Sequence, residues 1–182
     1  AMAQYQRALG ELREAKDKVS EALTLNYMGV LQSQQGKTAE ATKLFEESLQ
    51  VLRSINNKPV EAVVLMNLGA THERLENLPA ALTAYENATL AVRATTDRAG
   101  EARLLVMVGN LQRRMKKDRE ALAQYQAAAK LYQDLGNKPS EADVVLGIGA
   151  VYHQLGDKTR AAAAFESALQ IVKDLNNPSL EA

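Results

Sequence analysis

Residues 57–96 read NKPVEAVVLMNLGATHERLENLPAALTAYENATLAVRATT. The stretch opens on Asn57, a residue type whose side-chain oxygen caps helix N-termini. Pro59 follows, where a missing N–H costs little, and Glu61 places a negative charge in the first turn, which suits the helix dipole. Leu65, Leu68 and Gly69 continue at helical spacing to a short polar break near Asn77. A second helical run then begins at Ala81, passes through Tyr85, and weakens at Ala94, Thr95 and Thr96, where we expect the chain to flex.

The same pattern recurs at an offset of 40 residues along the chain. Gly29, Gly69, Gly109 and Gly149 share one phase, as do Tyr5, Phe45, Tyr85, Tyr125 and Phe165. Glu21, Glu61, Glu101, Glu141 and Glu181 form another series, each followed by Ala, and Asp17, Asn57, Asp97, Asn137 and Asn177 a further one. Residue types this different locked to one period define a repeat. Each repeat reads as two helices, with breaks near Gly36, Asn77, Lys117 and Gly156 and second-helix ends at Asn56, Asn57, Gly136 or Asn176. No alternating apolar–polar run or Asn-Gly hairpin signal argues for strands.

A glycine inside a helix costs about 1 kcal/mol relative to alanine. Four at one register therefore imply that a side chain there would collide with a neighbouring helix. Ala41, Ala81, Ala121 and Ala161 supply a matching close approach, and the aromatic is expected to fill the wider gap between successive helix pairs. Leu25, Met28 and Gly29, with their equivalents, form the buried stripe. One pair cannot bury both its faces, so stability has to come from stacking. Cutting Leu65 or Leu105 to Ala is expected to cost about 2–5 kcal/mol.

Composition narrows the function classes. The 182 residues carry 22 Lys plus Arg against 22 Asp plus Glu, with 46% hydrophobic and 4% aromatic content. Balanced charge argues against nucleic acid or an anionic membrane as main partner. The absence of Cys excludes disulfides, thiolate catalysis, Cys zinc sites and iron–sulfur clusters. No run approaches the ~18 apolar residues of a membrane span. Ala1-Met2 reads as an appended start, so the native beginning is expected to lie outside this sequence, and location is left open with the cytoplasm favoured.

With Leu65, Leu68, Gly69, Ala81, Tyr85 and Ala88 in one repeat, and Val145, Ile148, Gly149, Tyr152, Ala161, Phe165 and Ala168 in another, the chain resembles the tetratricopeptide repeats. The resemblance covers nearly all of it. The usual unit of that family is 34 residues, and the longer one here is similar to that of kinesin light chains and of bacterial multidomain arrays. The family's frequent Trp at the first apolar position is replaced by Leu25, Leu65, Leu105 and Val145. The resemblance implies an all-α, right-handed superhelical solenoid of antiparallel helix pairs over residues 1–182. Residues 1–18 then hold an isolated second helix, 19–58, 59–98, 99–138 and 139–178 four full repeats, and 179–182 the start of a truncated next one.

In that family successive first helices line the concave wall, and the phase places Met66, Asn67 and Arg74 of the second full repeat there. Arg103, Met107, Asn110, Arg113 and Arg114 of the third follow. Exposed Met66, Val106, Met107 and Leu146 suit apolar side chains, Asn67 and Asn110 suit the main chain of an extended segment, and the arginines suit carboxylates. An acidic partner peptide centred on these two repeats is the expected ligand. Competing with it, Arg103 with Asp143 and Glu73 with Arg113 stand at equivalent positions of adjacent repeats and suit inter-repeat ion pairs worth about 0–1 kcal/mol each. Kinesin light chains carry a recurrent Asn at one groove phase that reads Tyr27, Asn67, Met107 and Gly147 here.

No catalytic residue, metal site or cofactor is expected. His72, on the buried side of its helix, and His153, on the groove side, have no Ser or Asp at triad or metal-ligand spacing, and Gly147 with Gly149 lacks the strand and Lys-Ser/Thr of a phosphate loop. The expected role is that of a protein-interaction scaffold, not an enzyme. The alternatives are a regulatory or sensor segment of a larger protein, and a structural spacer, monomeric or associating end to end through Phe165, Leu169 and Val172.

Overall fold

The computed structural model describes residues 2–176, so Asn177, Glu181 and the segment 179–182 lie outside the described residues. Those residues form nine helices and no strand: α1 (Met2–Glu14), α2 (Lys18–Gln34), α3 (Thr38–Ser54), α4 (Lys58–Arg74), α5 (Leu78–Arg93), α6 (Arg98–Arg114), α7 (Asp118–Asp134), α8 (Lys138–Gln154) and α9 (Lys158–Asn176). They pack as sequential pairs, α2 with α3, α4 with α5, α6 with α7 and α8 with α9, and α1 rests on α2.

The expected caps are present at each first helix. The side chains of Asp17, Asn57, Asp97 and Asn137 accept the backbone N–H three residues on, at 3.1, 3.2, 2.7 and 3.2 Å. Ser20 hydrogen bonds hold the Asp17 carboxyl below its ordinary range. Helix ends are closed by a residue in the left-handed region. Lys16, Gly36, Asn56, Glu76, Lys116, Gly136 and Gly156 all have positive φ, between 52° and 80°. The following N–H then reaches back to a carbonyl of the last turn, as from Asn57 to Leu52 (3.0 Å) and from Asn137 to Tyr132 (2.9 Å). Twenty residues separate successive members of this series, and between Lys16 and Gly156 Thr96 alone lacks positive φ. Its β-branched side chain disfavours that backbone region. The helix before it, α5, stops at Arg93, one register short of α3 and α7, and the chain divides there into two compact units, Ala1–Thr96 and Asp97–Ala182.

In the first unit the glycine register is explained by the aromatic of the same pair. A Cβ on Gly29 would lie 2.7 Å from the Phe45 ring, and one on Gly69 would lie 2.5 Å from the Tyr85 ring. The second unit repeats this with Gly109 against Tyr125 (2.8 Å) and Gly149 against Phe165 (2.6 Å). The aromatic therefore seats first on its own pair's glycine, and only secondarily in the gap between pairs. Tyr125 does both, since a Cβ on Gly147 of α8 would sit 3.7 Å from the far edge of its ring. Leu25, Met28, Leu65, Leu105 and Val108 are buried as expected, while Leu68, Val145 and Ile148 are half-buried. Val64 and Leu104 widen the stripe.

The glutamate register does more than suit a dipole. Glu21 is buried and receives Arg13 of α1 at 2.9 Å and Lys18 at 2.8 Å, and Glu61 receives Arg53 of α3 at 3.1 Å and Lys58 at 2.8 Å. An arginine of one second helix thus ties down the start of the next first helix. In the second unit Arg98 and Lys138 approach Glu101 and Glu141 at 3.5 and 3.3 Å.

Hydrogen bonds from Lys18 and then Arg13 hold the Glu21 carboxyl below the ordinary glutamate value of 4.5. Burial pushes Glu61 up, but Lys58 and Arg53 together outweigh it, so that it too titrates below 4.5. A depressed folded-state pKa stabilises the fold above the unfolded value and loses that contribution as pH falls through the folded value. The urea midpoint should therefore stay level from neutral pH to about pH 5 and drop below about 4.5. Arg53→Met should flatten part of that acid slope, and a slope unchanged in this variant would remove Arg53 from the account.

Candidate functional site

The first-helix face of the first unit is built by α2 and α4. Tyr27 and Val63 are exposed on it, Met66 is half-buried, and Tyr27 stacks on Tyr5 of α1 with ring centroids 6.4 Å apart. The polar residues expected to meet a ligand are already engaged. Asn67 donates through Nδ2 to Oδ1 of the buried Asn26 at 2.9 Å. Arg74 donates to the Ser33 hydroxyl, which also shares a hydrogen bond of 2.9 Å with Thr71. These contacts join α2 to α4 and satisfy polar groups that would otherwise be buried at a cost. Sequence reading missed them for a definable reason. The partners are separated by 41 residues (Asn26 and Asn67, Ser33 and Arg74) or 38 (Ser33 and Thr71), so a search at the repeat period passes over them. Glu73, for its part, accepts from the Tyr85 hydroxyl at 2.9 Å.

The second unit presents a different surface on α6 and α8. Asn110 accepts from the Tyr125 hydroxyl at 2.6 Å, so one of the expected main-chain binders helps to seat the aromatic. Val106 and Met107 are half-buried rather than exposed, with Val106 packed against the core, whereas Leu146 is exposed. Arg103 and Arg114 are exposed. Among the described residues Arg103 and Asp143 form no ion pair.

Arg113 is half-buried, and its Nε is enclosed without a hydrogen-bond partner among the described residues. Together with Ala150, His153, Gln154 and Phe165 it lines a hollow of about 580 Å³. Of these, Arg113 and His153 were expected on the groove side from their phase. Phe165 was not, because its register is buried elsewhere. His72 is half-buried with its Nδ1 enclosed and unpartnered. Among the described residues no three His, Cys, Asp or Glu side chains gather to hold a metal ion, and no helix is long and apolar enough to cross a membrane.

Comparison with known proteins agrees with this architecture. Tetratricopeptide repeat descriptions match residues 22–58, 60–134 and 100–174. Among solved structures, BtubC (BKLC) from P. vanneervenii is 16% identical with a TM-score of 0.67, the match covering 96% of this chain and 91% of that one. Aspartyl phosphate phosphatase F from Bacillus subtilis is 12% identical with a TM-score of 0.75, over 97% of this chain and 46% of that one. A signal transduction ATPase with numerous domains and a tetratricopeptide repeat sensor, from Pyrococcus horikoshii, is 19% identical with a TM-score of 0.77, over 96% of this chain and 28% of that one. At these identities the likeness is one of fold. No curated protein sequence matches the chain. Tetratricopeptide repeats generally mediate protein–protein interactions and are typically non-catalytic. With a forty-residue helix pair repeated in register, an aromatic seated on a glycine in each pair, and matches from residue 22 to 174, the chain belongs to the tetratricopeptide repeat family.

Proposed function

We propose that the chain is a protein-interaction scaffold that binds a partner segment on the first-helix face of its second unit, with an acidic side chain of that segment seated at Arg113. The observation that carries this reading is the enclosed, unpartnered Nε of Arg113 in the hollow lined by His153 and Gln154. A guanidinium presents its donors as a planar fork that a carboxylate fills with two parallel hydrogen bonds. A buried donor left without a partner is costly, so filling it favours the bound state. Leu146 and the exposed part of Phe165 offer apolar surface to a neighbouring residue of the segment. Of the residues expected to bind, Asn67, Arg74 and Asn110 hold the fold together, and the ligand-facing set on the second unit contracts to Arg103, Met107 and Arg113.

Selection from a random-peptide library on the intact chain tests this. Enriched sequences are expected to carry Asp or Glu, and Arg113→Glu is expected to weaken their binding about tenfold or more with helicity unchanged. Equal binding by wild type and Arg113→Glu would overturn the assignment. A second reading, a sensor segment that controls an attached effector domain, is supported by the likeness to the Pyrococcus protein with its tetratricopeptide repeat sensor.

A further inference from the structure

An arginine eight residues before the helix-start glutamate recurs along the chain and then stops. Arg13, Arg53 and Arg93 precede Glu21, Glu61 and Glu101, whereas Gln133 precedes Glu141. In the first unit the carboxylate is divided between two cations. Lys18 and Lys58 donate to Oε2 of Glu21 and Glu61 at 2.8 Å each, and Arg13 and Arg53 donate through Nε to Oε1 at 2.9 and 3.1 Å. Both arginines reach in from solvent, since their side chains are 51% and 58% exposed against 5% and 7% for the glutamates.

At Glu141 half of this arrangement is missing. The residue is 7% exposed. Lys138 stands 3.3 Å from Oε2 without the alignment of a hydrogen bond, and among the described residues no side chain donates to Oε1. Gln133, at the register of Arg13 and Arg53, is exposed and carries no charge to offer. A carboxylate withdrawn from water beside one poorly aligned cation keeps a cost that a second charged donor relieves.

We propose that Glu141 is the binding site for an arginine side chain of a partner protein, entering from solvent at the position that Arg13 and Arg53 occupy in the first unit. The planar guanidinium, with its fixed donors, suits an oxygen already flanked by a lysine better than a second ammonium would. Leu135, two residues beyond Gln133 and 46% exposed, offers apolar surface to the residue beside that arginine. The site shares no residue with the Arg113 hollow and takes a ligand of opposite charge, so either can fail alone.

Selection from a random-peptide library on the Arg113→Ala chain, which lacks the other proposed contact, tests this. Enriched sequences are expected to carry arginine, and citrulline in its place, with nearly the same shape and no charge, should weaken binding about tenfold or more. Gln133→Arg supplies the guanidinium from within the chain. It should weaken binding of the same peptides about tenfold or more and raise the urea midpoint. Ala123→Arg adds the same charge at another exposed position of α7 and should leave binding unchanged. Enriched sequences without arginine, or equal binding before and after Gln133→Arg, would overturn the proposal. So would equal weakening by Ala123→Arg, since the effect would then be one of net charge.

Discussion

Phe45→Ala is expected to lower the unfolding free energy by about 3–5 kcal/mol, the range for truncating a fully buried aromatic. Phe45 is 0% exposed, and its ring covers the bare backbone of Gly29, where even one added carbon would come within 2.7 Å. Truncation leaves a cavity that a helix backbone cannot collapse to fill. The same substitution at Phe165 serves as an internal control. That ring meets Gly149 in the same way but is 39% exposed, so Phe165→Ala should cost about half as much or less. Urea unfolding followed by helix signal measures both, and equal losses would show that the glycine contact, rather than burial by a following helix, carries the aromatic's contribution.

The reverse change, filling the glycine, is the second large effect. In Gly69→Val the new Cβ would lie 2.5 and 2.6 Å from ring atoms of Tyr85. That ring is 1% exposed and its hydroxyl donates to Glu73 at 2.9 Å, so it has little room to move and something to lose by moving. Overpacking of this kind costs about 3 kcal/mol or more, beyond the gain in helix propensity on replacing glycine. Gly10 in α1 has nothing within 4 Å of an added Cβ. Gly10→Ala should therefore raise stability, by about 0.5–1 kcal/mol. Opposite signs at two helical glycines test whether the forty-residue spacing of one series reflects packing; a stabilised Gly69→Val would refute it.

Much of the fold was legible because it is written in local, repeated chemistry. An Asn or Asp cap, a Glu in the first turn and a small or aromatic residue at a set phase each act within a few residues or within one helix pair. The candidate site was legible only as a face. Phase assigned Asn67, Arg74 and Asn110 to one expected face but said nothing of what they bond to. The ties that engage the first two run between repeats at a separation of 41 residues, and the Tyr125 hydroxyl reaches Asn110 across the pair. A side chain near the end of its reach chooses among several acceptors, and periodicity does not rank them.

From the residues alone came the repeat length, the helix-pair pattern and the phases of the glycine and aromatic series, because backbone sterics and capping are decided within a turn or two of helix. Tertiary structure decided which polar groups are spent on holding neighbouring repeats together and which are left over. It left Arg113 with an enclosed donor and no partner. Hydrogen-bond satisfaction and burial depend on what stands opposite in space, and that is settled only when the helices have packed.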